Sequence, residues 1–426
     1  MKRILQYILK IAAKIVLWRQ KPTIVAITGS VGKTGTKEAI YRVLRKRFRV
    51  RRNRKNYNNE LGVPLTILGL ETGGRSIFAW VKNFLKIIFL IIRGKNYPEI
   101  LVLEMGVDRP GDMKYLVDFI PVRVGVITAI GQFPAHLEFF PEKGRLVEEK
   151  ARLVKSLKKD GLAVLNYDDL SVRMIGDELS NDLEKIYYGF GKGADLRISN
   201  FDFYISRLEK GDFGLNFKLD YQGSIVPVKL ERILGKQQAF AAAAAASVGL
   251  FFGMNLVEVS AGLRKFHSLP GRTKLLRGIK GTWIIDDTYN ASPSSTILAL
   301  NTLDQMVSKI EGKNIRKVVV LGDMLELGKD TEAGHRQVGE KVVGMADLLF
   351  TVGDRSRFIS DQAKKQGMPD DNIFEFSQVE EAGLALQKKI KNGDLVLIKG
   401  SRSMHLEKVV KEIMAFPRKA SKLLVK

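Results

Sequence analysis

The chain has no cysteine and only four histidines among its 426 residues. Without cysteine it can form no disulfide bond, no cysteine-ligated zinc site and no thiol nucleophile. Any bound metal must therefore be held by oxygen ligands or by one of the few histidines. This scarcity favours magnesium chemistry over structural zinc.

Acidic residues are also scarce, because 46 Asp and Glu stand against 70 Lys and Arg and leave a formal net charge of +24. The stretch from Arg42 to Lys55 is the most basic part of the chain. The positive electrostatic field of such a chain attracts nucleic acid, anionic lipid, or nucleotide and phosphate substrates. A solvated basic helix face explains the basic stretch equally well. No RNA-binding or helix-turn-helix signature accompanies it, so we expect no specific nucleic-acid partner.

Two apolar segments are too short or too charged for an ordinary membrane span of about twenty residues. Residues 1–19 predict an amphipathic helix with Arg3, Lys10 and Lys14 on one face and, on another, Ile4, Ile8, Ile11, Ile15 and Trp18. Residues 77–92 are apolar but carry Lys82 and Lys86. We expect both segments to lie on the inner face of an anionic membrane, so that the protein is cytoplasmic and peripheral. The alternative is that 77–92 is a buried crossover helix and 1–19 packs on the globular body.

The length of the chain and its hydrophobic pattern predict an α/β fold with more than one domain. Apolar strands alternate with helical patterns, as in a mostly parallel sheet, at Thr23–Thr28, Ile100–Glu104, Val124–Ile130 and Leu162–Asn166. Segments 198–206 and 213–230 alternate like antiparallel strands before an alanine-rich helix at 239–252. The alternation of apolar strands and helical patterns resumes after Leu269-Pro270-Gly271, with strands at Thr282–Asp286, Lys317–Gly322, Leu348–Gly353 and Leu395–Gly400. We therefore divide the chain into an N-terminal helix (1–20), a central domain (21–268) and a Rossmann-like C-terminal domain (269–426).

A glycine-rich turn follows the first strand and opens a helix, with the sequence Gly29-Ser30-Val31-Gly32-Lys33-Thr34-Gly35. Glycines let backbone N–H groups surround phosphates, the lysine reaches the β and γ oxygens, and the threonine hydroxyl is a magnesium ligand. A fortuitous glycine turn is the competing interpretation. The strand-turn-helix context makes the central domain a P-loop domain that binds ATP or GTP.

The amino-acid sequence around this loop resembles that of the Mur ligase superfamily. The loop TGSVGKTGTKE is followed by NYNNELGVPLTIL, which is similar to the asparagine-rich segment of the members that add D-alanyl-D-alanine. Further motifs in the family's order are LVLEMGVDRPGDM, TAIGQFPAHLEFF, EEKARLV, AVLNYDD, LPGR, IIDDTYNASPSS and VLIKGSR, which extend the resemblance from Thr23 to about Lys408. The resemblance implies ATP-dependent formation of an amide bond through an acyl phosphate.

The resemblance also implies a metal site. Glu104 ends an apolar strand, from which its carboxylate can point at the phosphate loop. By resemblance His136 serves a second magnesium ion, and Lys150 matches a lysine that many Mur ligases carbamylate, which turns a cation into an oxygen ligand. The implied ligands of two Mg²⁺ ions are thus Thr34, Glu104, His136 and Lys150. The alternative for His136 is an ordinary surface or core histidine, and the alternative for Lys150 is an ordinary solvated lysine.

The remaining site residues are implied in the same way. For the nucleotide they are the loop residues together with Asn166, Gln238, Arg272 and Asp287, and the catalytic set is Lys33, Glu104, His136, Lys150 and Arg272. Gln238 stands in Gly235-Lys236-Gln237-Gln238, where the family usually has His-Asn, so an adenine contact there is in doubt. The implied substrate contacts are Asn56, Asn58, Asn59, Tyr289, Asn290, Lys399, Ser401 and Arg402. Plain turns are the alternative for each.

The substrates expected from the resemblance are ATP, a peptidoglycan-precursor-like carboxylate and a D-alanyl-D-alanine-like amine, handled by a monomer. Typical members carry about a hundred residues before the phosphate loop to hold the UDP end of the precursor, and this sequence has about twenty. We therefore expect that the precursor is held differently or that the acceptor is not a UDP-sugar peptide. A Mur-like ligase with another acceptor, such as a polyglutamate-type polymer, and a membrane-associated ATPase of the same fold remain the alternatives.

Overall fold

A computed structural model describes residues 2–54, 57–94, 96–134, 136–310 and 315–425. Within these ranges the strands are β1 Thr23–Thr28, β2 Val50–Arg52, β3 Ile100–Glu104, β4 Val122–Ile127, β5 Leu162–Asn166, β6 Glu184–Gly189, β7 Leu196–Arg207, β8 Asp212–Tyr221, β9 Ser224–Glu231, β10 Lys274–Arg277, β11 Trp283–Asp287, β12 Lys317–Gly322, β13 Leu348–Val352, β14 Ile373–Phe376 and β15 Leu395–Lys399.

The helices are α1 Lys2–Gln20, α2 Lys33–Leu44, α3 Gly62–Leu68, α4 Ile77–Arg93, α5 Asp112–Val117, α6 Lys143–Lys155, α7 Leu170–Asp177, α8 Lys236–Phe251, α9 Leu256–Leu263, α10 Pro293–Ser308, α11 Thr331–Val342, α12 Arg357–Lys365, α13 Val379–Lys389, α14 Glu407–Ile413 and α15 Ala420–Leu423. Short 3-10 helices lie at Leu137–Phe139, Leu208–Lys210, Ile279–Gly281, Gly328–Asp330, Asp370–Asn372, Arg402–Met404 and Pro417–Lys419.

The first sheet runs in the order β2-β3-β1-β4-β5-β6-β7-β8-β9 and is parallel from β2 to β7. All residues of β3 and β5 are buried, as expected for strands covered by helices on both faces. The predicted bounds of β1, β3 and β5 are confirmed, whereas the predicted strand Val124–Ile130 lies at Val122–Ile127. Parallel pairing sets Ile27 of β1 beside Glu104 of β3, so the carboxyl ends of both strands meet at one edge.

The antiparallel extension is formed by β7, β8 and β9. The predicted segment 213–230 divides into two strands, because Gly223 with a φ of 80° makes a turn between them. The alanine-rich helix α8 begins at Lys236, earlier than predicted, and Ala241–Ala246 are buried against the sheet and α2. Small side chains allow this close approach of helix and sheet.

The second sheet runs in the order β10-β11-β15-β12-β13-β14 and is parallel except for the edge strand β10. The prediction is confirmed at Lys317–Gly322 and shifts by one residue or less at each end of the other three strands. The edge strands β2, β10 and β14, together with β6, were not predicted. Together the two sheets confirm the α/β class with large, mostly parallel sheets.

We call the part of the chain that contains the first sheet the first unit and the part that contains the second sheet the second unit. Helices α1 and α4 lie beside each other on the first unit and present apolar side chains to solvent. Helix α1 buries Leu9, Ala13 and Val16, and α4 buries Ile87. Their outward side chains are 40–88% exposed and form what we call the apolar face: Ile4, Tyr7, Ile8, Ile11, Ile15, Trp18, Ile77, Phe78, Val81, Leu85, Ile88, Phe89 and Ile92. The alternative of a buried crossover helix at 77–92 is therefore wrong, whereas the alternative that 1–19 packs on the globular body is confirmed, because the buried side chains of α1 join the core beside β1 and β3. No helix in the described ranges combines the length and apolarity required to cross a membrane.

Asn53 joins the end of β2 to the end of β3 in the core. Its side chain is 1% exposed, its amide nitrogen donates to the Glu104 carbonyl at 3.0 Å, and its amide oxygen accepts from the Glu104 N–H at 2.7 Å. We predict that Asn53→Ala lowers the free energy of unfolding by about 2 kcal/mol, because two buried backbone groups lose their partner. Urea denaturation measures this loss. The matched variant Asn181→Ala removes an exposed amide and should change little, and equal stabilities of the two variants would contradict the prediction.

Candidate active site

The phosphate loop lies between β1 and α2, at the edge where β1 and β3 end. Gly29 and Gly32 have φ angles of 141° and 90°, which L side chains rarely adopt. A Cβ at Gly29 would also collide with the Thr128 hydroxyl. That hydroxyl donates to the Val31 carbonyl at 2.7 Å and the Ser30 N–H donates to the Ala129 carbonyl at 2.6 Å, so β4 and the residues after it hold the loop in place.

A buried carboxylate lies beneath the loop among cations. The Glu104 carboxylate accepts from the Thr34 hydroxyl at 3.2 Å and pairs with the Lys37 ammonium at 3.2 Å. Burial by itself raises the pKa of Glu104, but the charges of Lys37, Lys33 and Arg272 outweigh it and hold the pKa below its ordinary value. Burial lowers the pKa of Lys33, whose ammonium donates to the Gly29 carbonyl at 2.8 Å. The site thus concentrates positive charge around a buried carboxylate beside the phosphate loop.

The second unit contributes Arg272 to the same point. Its guanidinium donates to the Thr34 hydroxyl at 2.9 Å and lies 3.9 Å above the centre of the Tyr289 ring. A second contact crosses between the units, because the Gln237 amide donates to the Thr273 hydroxyl at 2.7 Å. These bonds hold the loop after α9 against the phosphate loop.

A cleft of about 420 Å³ opens between the two units. Its walls contain most of the residues expected from the sequence, namely Ser30, Val31, Gly32, Lys33, Thr34, Gly35, Asn58, Asn59, Glu104, His136, Gln238, Arg272, Asp287, Tyr289, Asn290, Lys399 and Arg402. Gly29, Lys150, Asn166 and Ser401 do not line it. The expected substrate residue Asn56 lies outside the described residues.

Asp287 and Lys399 form a buried ion pair at 2.7 Å in the wall of this cleft. The other oxygen of Asp287 accepts from the Thr273 N–H at 2.8 Å, and Lys399 also donates to the Asn290 carbonyl at 2.8 Å. Both carboxylate oxygens therefore already hold the strand ends of the second unit. A ribose contact from Asp287 would have to share these oxygens.

The residues expected to bind metal separate into a close pair and two outlying side chains. Thr34 and Glu104 offer oxygen atoms 3.2 Å apart, which fits one hard divalent cation. His136 instead lies 2.8 Å from Glu326 of the second unit and 3.5 Å from Asp108. Across the described ranges, no cluster of three or more His, Asp or Glu side chains is arranged to hold a metal.

Lys150 is a buried cation directly behind the loop. It is 1% exposed and donates to the Gly29 carbonyl at 3.2 Å. Burial, with the nearby charge of Lys33, lowers the pKa of Lys150 well below its ordinary value. Burial thus favours the neutral amine at Lys150 more than it would at a solvated lysine.

Two expected contacts have structural partners instead. The Asn166 side chain accepts from the Asp168 N–H at 3.0 Å, in a turn whose Asp168 carboxylate caps Phe190 and Gly191. The Ser401 hydroxyl accepts from the Leu325 N–H at 2.9 Å. Gln238 does face the cleft, and within the described residues its buried amide oxygen has no hydrogen-bond partner.

The sequence interpretation did not single out Lys37, Asp108 or Glu326. Lys37 follows Lys33 by four residues, and this spacing brings both to one face of α2, so a sequence signal existed. The signal for Asp108 was weaker, since it lies in the loop after β3. Nothing in the sequence pairs Glu326 with His136, because that contact depends on how the two units pack.

A P-loop whose cations are completed by an arginine from a second α/β unit defines an enzyme that transfers the γ-phosphoryl group of a nucleotide. Residues 27–249 match the model described as the Mur ligase middle domain, and residues 271–402 match that of the Mur ligase, glutamate ligase domain. The chain therefore belongs to the Mur ligase family and is an ATP-dependent ligase.

Similarity to individual proteins supports the same family assignment. UDP-N-acetylmuramoyl-tripeptide–D-alanyl-D-alanine ligase of Bacillus subtilis (strain 168) is 30% identical over 410 residues, which are 95% of this chain and 79% of the relative. MurF ligase from Thermotoga maritima, solved in complex with ADP, is 27% identical with a TM-score of 0.76, covering 98% of this chain and 84% of that one. MurF from Acinetobacter baumannii shares the fold, with 24% identity, a TM-score of 0.77 and coverage of 95% and 79%.

We predict that Lys37→Met raises the pKa of Glu104, because the largest of the charges that lower it is removed while the burial that raises it remains. ATP turnover that needs an ionised Glu104 then falls off at a higher pH than in the wild type. The pH profile of ADP release measures this shift. Lys46→Met, which removes an exposed lysine, should leave the profile unchanged, and an unshifted acidic limb in Lys37→Met would contradict the assignment.

Proposed function

We propose that this protein joins D-alanyl-D-alanine to the terminal carboxylate of a peptidoglycan-precursor peptide, with ATP converted to ADP and phosphate. The observation that carries the proposal is the convergence of Lys33, Lys37 and Arg272 on Glu104, beside the phosphate loop. Carboxylate and γ-phosphate repel each other, so a ligase must concentrate positive charge where they meet. The substrates named for the relatives support this choice.

The reaction proceeds in two displacements. A carboxylate oxygen of the acceptor attacks the γ-phosphorus of ATP, and the bond from that phosphorus to the β–γ bridging oxygen breaks to release ADP. The amine nitrogen of D-alanyl-D-alanine then attacks the carbonyl carbon of the acyl phosphate, loses its proton, and phosphate leaves. Lys33 and Arg272 bind the γ-phosphoryl oxygens throughout. Closure of the cleft around the bound substrates keeps water from the acyl phosphate.

The other side chains of the cleft have positioning roles in this proposal. Asn58 and Asn59 face the acceptor peptide, and Asn58 is already oriented by its contact of 3.4 Å with Glu104. Tyr289, Asn290, Lys399 and Arg402 face the incoming amine from the second unit. Gln238 reads the adenine edge with its unpartnered amide oxygen, which accepts from the exocyclic amine and so favours ATP over GTP. One chain supplies every group, so a monomer suffices.

Magnesium fits the oxygen pair of Thr34 and Glu104. Two ions are proposed, and the second would be held by His136 and by Lys150, if the buried amine of Lys150 carried a carbamate. When bound, the ions supply positive charge that offsets the phosphate oxygens. The depressed pKa of Lys150 supports carbamylation, because only the neutral amine reacts with carbon dioxide.

The function is tested by measuring ADP release and amide product with a precursor tripeptide and D-alanyl-D-alanine. We predict that wild-type protein forms both products in equal amounts, and that Lys33→Ala lowers the rate by about a hundredfold or more because charge compensation is lost. Glu104→Ala should be similarly inactive, whereas Lys46→Ala serves as the exposed control. ADP release without amide would indicate an ATPase, and wild-type rates in Lys33→Ala would contradict the phosphate site.

Carbamylation has its own test. Lys150→Ala should lose activity, and short-chain carboxylates such as acetate or formate should restore part of it by supplying the missing oxygens. Lys143→Ala, at the half-buried start of the same helix, controls for non-specific effects of the acid. Full activity in Lys150→Ala, or the same response to acetate in both variants, would remove Lys150 from the metal site.

We further propose that the protein is peripheral to the inner face of an anionic membrane through the apolar face. The sequences of α1 and α4 contain no acidic residue, and Lys14, Lys82 and Lys86 flank the exposed apolar side chains. Each lysine that reaches an anionic leaflet adds about 1 kcal/mol. A second copy is disfavoured as occupant of this face, since two such faces would oppose like charges.

We predict that the protein floats with anionic liposomes at low salt and less so at high salt, because salt screens the lysines. The double variant Phe78→Ser, Leu85→Ser removes two exposed side chains of the apolar face and should not float. The matched double variant Leu384→Ser, Phe416→Ser changes side chains that are each 52% exposed on the second unit and should float normally. Absence of wild-type flotation on anionic liposomes would contradict the membrane proposal.

A further inference from the structure

A second cavity of about 1040 Å³ continues from the cleft toward the apolar face. The two spaces share Thr34, Asn59, Arg272, Tyr289 and Arg402, so they communicate at the point where phosphoryl transfer is proposed. The far end of this side cavity is bordered by Leu5 of α1 and Trp80 of α4. A ligand in it would therefore extend from the reacting centre to the two helices that carry the apolar face.

The wall of the side cavity is basic. Arg52, Arg54 and Lys422 line it in addition to Arg402. Two of these cations have partners, since Arg52 pairs with Glu38 of the same wall at 2.6 Å and Arg402 pairs with Glu407 at 3.0 Å. Arg54 is held only loosely, since it is 3.8 Å from Glu71 and 79% exposed, and it can turn to a phosphate. Tyr57 and Trp80 add aromatic surface, which suits the apolar face of a sugar ring. The cavity thus matches an elongated acceptor that carries phosphates, sugar and acidic peptide.

The position of the apolar face decides how such an acceptor arrives. Leu5 and Trp80 belong to helices whose neighbouring side chains Ile4 and Phe78 are 66% and 88% exposed. If that face lies in a bilayer, the far end of the side cavity lies at the bilayer surface. An acceptor anchored in the same bilayer then meets the cavity in two dimensions, which raises its effective concentration.

We propose that the preferred acceptor is membrane-anchored: a sugar-peptide joined through a diphosphate to a long apolar chain, with its peptide carboxylate in the cleft and its chain in the bilayer. This inference rests on the proposed ligase function and extends it to the class of acceptor. The diphosphate lies against Arg54 and competes with Glu38 for Arg52, and the sugar lies against Tyr57. The apolar chain leaves the cavity between Leu5 and Trp80.

The test compares two acceptors with the same sugar and tripeptide. One carries a polyprenyl diphosphate in vesicles of anionic phospholipid, and the other carries the soluble uridine diphosphate. Amide formation with D-alanyl-D-alanine is measured for the full chain on each acceptor at equal concentration. We expect kcat/KM to be at least about tenfold higher for the anchored acceptor, in line with the gain from confinement to one surface.

Variants separate this inference from a general loss of function. Phe78→Ser, Leu85→Ser should lose the preference for the anchored acceptor and keep the wild-type rate on the soluble one, whereas Leu384→Ser, Phe416→Ser should keep both. Equal or better use of the soluble acceptor by the wild type overturns the inference and leaves the ligase function intact. A preference that survives in Phe78→Ser, Leu85→Ser also overturns it. Failure of the wild type on both acceptors overturns the proposed function itself.

Discussion

The buried carboxylate of Glu104 is the constraint on which the site depends. Burial of a carboxylate is costly unless cations compensate it, and here Lys37, Lys33 and Arg272 do so from three directions. Two of these cations lie one turn apart on α2, and the third comes from the second unit. The cations that stabilise the ionised Glu104 can also offset the negative charge of the ATP phosphates. Folding of the first unit and docking of the second are thereby joined in one electrostatic cluster.

The parallel sheet explains why this cluster lies where it does. In β1 and β3 the register brings Ile27 beside Glu104, so the phosphate loop after one strand and the carboxylate at the end of the other meet at the same edge. The Asn53 side chain binds the backbone of Glu104 and also donates to the carbonyl of Tyr57, and so ties the asparagine-rich segment to that edge. The acceptor contacts, the carboxylate and the loop are therefore positioned by neighbouring strand ends, and the second unit closes over them.

Local patterns predicted much of this structure, and long-range packing accounts for what they missed. The phosphate loop and the bounds of β1, β3 and β5 follow from glycine spacing and apolar runs, which are local signals. The pairing of His136 with Glu326 depends on the docking of the two units, which no local pattern encodes. Helix α1 has apolar residues on two faces, and periodicity alone did not tell that Leu9 and Val16 would be buried while Ile8 and Ile15 stayed exposed. Asn166 resembled a nucleotide contact, yet its amide serves a turn.

The central claim is that the cations around Glu104 serve phosphoryl transfer from ATP to a carboxylate, followed by amide formation. The most direct measurement uses an acceptor peptide whose terminal carboxylate is labelled with ¹⁸O. The labelled oxygen that attacks the γ-phosphorus must leave with the phosphate when the amine displaces it. The account predicts one ¹⁸O atom in the inorganic phosphate for each amide bond formed, measured by mass spectrometry. Phosphate free of label, released together with ADP, would contradict it.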